Sequence, residues 1–114
     1  MTTTETGRKA EAAASEFLER KGCKIIDRNW RTRWCEIDVV AIRDSVIYFC
    51  EVKYRLNTRQ GRGAEYITAK KLRQMKFAAE FWIAARNWTG EYQLCAIEVS
   101  GAGFTITGVF RDLT

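Results

Sequence analysis

Apolar residues recur at helical spacing near the start of the chain. Ala10, Ala13, Ala14, Phe17 and Leu18 share one face between Gly7 and Lys21, and Gly22 follows as a left-handed stop. Glu16 and Glu19 point away from that stripe, whereas Glu11 falls on its border. The pattern then changes period. Lys24 to Arg28, Glu36 to Ile42 and Val46 to Tyr54 read as strands, with a basic, aromatic connection at residues 29–34. Arg43-Asp44-Ser45 supplies the turn of an antiparallel hairpin between the second and third strands. Thr68 is placed to cap a helix reaching about Arg86, with Leu72, Met75, Ala79, Trp82 and Ile83 inward. Tyr92 to Ser100 and Phe104 to Phe110 form a last hairpin around Gly101-Ala102-Gly103. The expected fold is α/β, a central mixed five-stranded sheet flanked by two main helices in the order αβββαββ, with residues 1–114 as a single domain.

The third strand carries the first sign of chemistry. Val46, Tyr48, Cys50 and Val52 occupy one face, and Ile47, Phe49, Glu51 and Lys53 the other. Both faces begin apolar, as in a strand covered on both sides, and then the second turns ionic. Charges on a covered face must pair, meet solvent or hold an ion. In the second strand Glu36 and Asp38 are expected to share a face, and the hairpin brings Asp38 opposite residues around Glu51.

Composition narrows the options. The chain has no histidine and no proline, which excludes Ser/His/Asp triads, Cys/His pairs, HExxH zinc sites and a histidine general base. Cysteines at 23, 35, 50 and 95 form no C-x-x-C and no zinc spacing, so they are expected as free thiols. The first residues lack an apolar signal core and no segment is long enough to span a membrane, so a cytoplasmic protein with no membrane partner is expected. Net charge is +5, and residues 51–76 hold eight Lys/Arg against two Asp/Glu. A basic excess placed there suits a polyanion; a merely solvated basic surface is the plainer alternative.

Two carboxylates with a lysine make sense at a phosphodiester. Mg²⁺ is a hard ion that takes carboxylate oxygen and keeps several waters, so Asp38 and Glu51 with a backbone carbonyl suffice as its protein anchors. Such an ion polarises a phosphate and acidifies a bound water, and Lys53 would hold that water or the developing charge. Taken alone, a Glu-x-Lys tripeptide is most often an ordinary exposed strand end.

The motifs in order are more specific. Glu11, Arg28-Asn29-Trp30-Arg31, Glu36-Ile37-Asp38-Val39-Val40-Ala41, Phe49-Cys50-Glu51-Val52-Lys53-Tyr54-Arg55 and Ile67-Thr68-Ala69-Lys70-Lys71 resemble the YraN-like family of bacterial proteins. That family is placed in the PD-(D/E)XK nuclease superfamily, with a restriction-endonuclease-like fold. The resemblance implies Asp38 as the metal-binding aspartate, Glu51 and Lys53 as the (D/E)-x-K pair, Glu11 as the first-helix glutamate completing a Mg²⁺ or Mn²⁺ site, and Lys71 as the second-helix lysine. Ile37 stands where the name-giving proline would be. Trp34-Cys35 replaces the family's usual glycine, and Gln93-Leu94-Cys95 its usual Arg-Phe-Asp.

The leading expectation is therefore a metal-dependent nuclease-like protein hydrolysing DNA, branched or structured DNA included. Arg55, Arg59 and Arg62, in a glycine-containing loop after the site, and Lys71 are its candidate phosphate contacts. The alternative is a catalytically silent module on the same fold, binding nucleic acid or a protein. In the protein-interaction form, Phe77 and Phe81, outside the helix core face, would build a homodimer contact.

Overall fold

The computed structural model describes residues 3–56 and 67–113. Its strands are β1 (Lys24–Arg31), β2 (Glu36–Arg43), β3 (Val46–Arg55), β4 (Glu91–Ser100) and β5 (Thr105–Phe110). They lie side by side in chain order, antiparallel except for the parallel pair β3–β4. The helices are α1 (Thr3–Arg20), before β1, and α2 (Ala69–Arg86), between β3 and β4. The mixed sheet, the two helices and the order αβββαββ agree with the expectation and are consistent with a restriction-endonuclease-like fold.

Each helix covers one face of the sheet. Ala10, Ala14 and Leu18 of α1 pack on Val39, Ala41, Cys50, Ile97 and Val99. Met75, Ala78, Ala79 and Trp82 of α2 pack on Val40, Ile47, Phe49 and Leu94. The central strands are thus apolar on both faces, and each fully buried Ile, Leu or Val there contributes about 1.5–3 kcal/mol. Asp27 of β1 fastens α2 from the side: its Oδ2 accepts both Trp82 Nε1 and Arg86 Nη2 at 2.8 Å.

Local chemistry sets the boundaries. Gly22 has φ +90° and ends α1, with the Cys23 N–H donating to the Leu18 carbonyl at 2.9 Å. The Thr68 hydroxyl accepts the Lys71 N–H at 3.1 Å, capping α2 as expected. Asp44 and Ser45 both have positive φ, the two-residue turn whose twist suits the β2–β3 hairpin.

Several boundaries differ from the sequence reading. Helix α1 starts at Thr3, not near Gly7, because the polar residues there need no buried face to extend it. Strand β1 runs on through Asn29-Trp30-Arg31, which the charge pattern suggested as a connection, while Asn29 sits at φ 51° within it. Strand β3 includes Arg55, so that arginine belongs to the sheet. No helix among the described residues is long and apolar enough to cross a membrane.

Candidate metal and phosphate site

The site forms where β2 and β3 part. Their ladder is regular from Arg43↔Val46 to Val39↔Cys50 and stops there. In antiparallel alternation the next inward-pointing N–H of β3, that of Val52, would seek the Ile37 carbonyl. It donates instead to Asp38 Oδ2 at 2.7 Å. Strand β2 rolls about its axis at this point: Ile37 packs on the α2 side and Val39, two residues on, packs on the α1 side. Asp38 lies between these two, and its carboxylate turns toward the Val52 N–H of the neighbouring strand. Glu36 is exposed and faces Arg31 at 3.4 Å.

Carboxylates crowd Asp38. Burial is the largest cause and the Glu51 charge the next in raising its pKa to about 7; Glu11 and Glu36 push the same way, and only the Val52 N–H opposes them. Glu51 comes from the α2 side of the sheet and Glu11 from α1, so the two flank the Asp38 position from opposite layers. Glu51 is partly buried and its Oε1 lies 3.0 Å from Lys71 Nζ. Lys53 is exposed two residues further along β3, on the side of Glu51. The structure thus brings Asp38, Glu51, Glu11 and Lys71 into one electrostatic neighbourhood, with Lys53 at its edge.

The donor set fits a hard cation of low protein coordination. Asp38 spends Oδ2 on Val52 and Glu51 spends Oε1 on Lys71, which leaves one oxygen of each open. Two carboxylate oxygens with water and phosphate oxygen are a normal Mg²⁺ shell. Among the described residues no three acidic or thiol side chains converge on one ion, so Glu11 does not join Asp38 and Glu51 as the resemblance implied.

A family model described as "Uncharacterised protein family UPF0102" matches residues 10–100. The chain belongs to that family. A UPF0102 protein of Cytophaga hutchinsonii is 37% identical over 97 residues, covering 85% of this chain and 86% of its own. One from Vibrio parahaemolyticus is 32% identical over 107 residues, 92% of this chain and 88% of its own. One from Renibacterium salmoninarum is 42% identical over 81 residues, 71% and 69% of the two chains. The YraN-like resemblance of the motifs is thereby borne out. The matched span of this UPF0102 chain includes Glu11, Asp38, Glu51, Lys53 and Lys71.

Of the arginines suggested as phosphate contacts, Arg59 and Arg62 lie outside the described residues. Arg55 does not face outward as a loop residue would. Its side chain is largely enclosed and its Nε sits 3.7 Å from Glu98 Oε2.

Glu98 is the residue the sequence reading passed over. It stands beside Lys53 across the parallel β3–β4 pair, 6% exposed, with Oε1 accepting the Thr107 hydroxyl at 2.8 Å. A lone Glu in an apolar strand was its only signal. The cysteines are free as expected, with Cys50 and Cys95 buried. A hydrogen bond with Cys95, reinforced by burial, holds the Cys50 thiol well above its ordinary range.

Proposed function

We propose that the chain is a metal-dependent nuclease that hydrolyses phosphodiester bonds in DNA. The observation that carries the reading is Asp38. A carboxylate fixed by a backbone N–H, held mostly out of water and surrounded by Glu51, Glu11 and Glu36, lowers stability as a charged group and serves best against a cation. Asp38 and Glu51 would hold Mg²⁺ or Mn²⁺, with the Glu11 charge adding to the negative field from α1. Bound there, the ion supplies polarisation of the scissile phosphate and acidification of a bound water.

The remaining steps belong to the side chains. The Val52 N–H fixes Asp38 so that its free oxygen keeps one direction as DNA arrives. Lys71 restrains Glu51 in the same way. Lys53 carries an exposed ammonium beside both and attracts the phosphate whose charge grows in the transition state.

The test is incubation of the protein with linear, nicked and branched DNA in Mg²⁺ or Mn²⁺, beside Asp38→Ala and Lys53→Ala. The reading expects cleavage that both substitutions remove. No cleavage of any substrate, or equal cleavage by the variants, contradicts it.

A second reading rests on the Lys71–Glu51 ion pair. With Glu51 already neutralised, the chain would bind DNA through its basic surface and do no chemistry. It expects salt-sensitive binding, no turnover and no uptake of divalent metal.

A further inference from the structure

Beside the metal and phosphate site lies an aromatic ledge that the nuclease reading does not use. Trp34 is 66% exposed and Phe77 is 51% exposed. They are the outer rings of a four-ring cluster. Phe81 sits between them, its centroid 6.0 Å from Trp34 and 6.2 Å from Phe77, and rests on Trp30 at 5.9 Å. The loop presenting Trp34 is closed on itself: the Thr32 hydroxyl accepts the N–H groups of Trp34 and Cys35, each at 3.1 Å. Exposed rings of this size lose free energy to water unless something covers them.

A cleft of about 560 Å³ runs from Trp34 and Phe77 to Glu51, the volume of a small-ligand site. Its charges identify the occupant. Both acids in its wall are already paired, Glu36 with Arg31 at 3.4 Å and Glu51 with Lys71 at 3.0 Å. Lys70 and Arg73 line the same cleft and are exposed, and Arg33 lies over the Trp34 ring at 5.3 Å. The open charge is therefore positive. A second copy docking by two-fold symmetry would set these cations against their own images, which disfavours self-association through this face. A polyanion with flat apolar groups satisfies cations and rings together. A fully paired duplex presents phosphates here but keeps its base faces stacked inside; unpaired nucleotides present both.

We infer that Trp34 and Phe77 stack the unpaired bases of single-stranded or splayed DNA while Lys70 and Arg73 hold its phosphates, delivering the strand to Glu51. The inference rests on the nuclease reading, because it assigns that site its substrate class.

The experiment compares binding of the full chain, without divalent metal, to a blunt duplex, the same duplex with an oligo-dT tail, and oligo-dT alone. The probes are DNA anisotropy and quenching of tryptophan emission. The tailed duplex is expected to bind tighter than the blunt one, with quenching. Trp34→Ala and Phe77→Ala should each weaken tail and oligo-dT binding about tenfold while leaving the blunt duplex unchanged. Trp34→Phe, which keeps a ring, should restore most of the loss. No advantage from the tail, or equal weakening on blunt and tailed DNA, overturns the inference. So does a dimer that Trp34→Ala dissociates while DNA binding persists. A protein that cleaves blunt duplex with Asp38-dependence yet ignores the tail keeps its nuclease reading and loses this ledge. Tail binding through Trp34 with no metal-dependent cleavage has the reverse meaning.

Discussion

Asp38 Oδ2 accepts the Val52 backbone N–H at 2.7 Å, replacing a rung of the β2–β3 ladder with a side chain. That bond turns the point where two strands separate into a fixed carboxylate, and it does so among other carboxylates. The site is thus built against the stability of the fold.

The first prediction follows from that opposition. With its pKa raised from 3.8 to about 7, folded Asp38 holds a proton that the unfolded chain has released between those values. Metal-free stability should therefore fall as pH rises from about 4 through about 7 and level off above. Asp38→Asn keeps an oxygen for the Val52 N–H and carries no charge. At pH 8 it should stabilise the metal-free protein by about 1–3 kcal/mol, with little difference at pH 4. Urea denaturation at the two pH values checks this; a variant less stable than wild type at pH 8 contradicts it.

Lys71 and Glu51 form a partly exposed pair, worth about 0–1 kcal/mol to stability. Lys71→Gln should leave the denaturation midpoint nearly unchanged. Freed of the ammonium, Glu51 should bind Mn²⁺ several-fold tighter, while DNA binding weakens and its salt dependence flattens by about one charge. An unaltered Mn²⁺ affinity would show that Glu51 is not at the metal.

Glu98 and Arg55 are enclosed, and there the cost is larger. Glu98→Ala removes one partner of an enclosed ion pair and takes one acceptor from the Thr107 hydroxyl, which keeps Ser100 Oγ at 2.8 Å, so a loss of about 3 kcal/mol is expected by urea denaturation. Glu98→Gln, which preserves an acceptor for Thr107, should lose less. If Glu98→Ala leaves stability untouched, the pair has no structural role.

Much of this was legible in the chain. The element order followed from periodicity because the 3.6-residue stripe of Ala10, Ala14 and Leu18 and the doubly apolar run of Val46–Cys50 each fit one kind of element. Glu51 and Lys53 were visible as the ionic end of that run, and the second-helix lysine implied by the resemblance, Lys71, does reach Glu51. The roll of β2 at Asp38 was not legible, since strict alternation assumes a regular strand and this one changes face between Ile37 and Val39. Asn29 at positive φ inside β1 was hidden for a similar reason: charged, aromatic composition suggested a loop, and pairing with β2 overrode it. Glu98 escaped because its partners Arg55 and Thr107 come from two other strands, and no local pattern joins them.

The central claim is that Asp38 and Glu51 hold a divalent cation, and a calorimetric titration with Mn²⁺ at pH 8 tests it most directly. Wild type should take up the ion, more weakly at pH 6 where protons compete for Asp38, and the stable variant Asp38→Asn should give no binding heat. An absence of Mn²⁺ binding by the wild type, or binding that Asp38→Asn leaves intact, would contradict the account.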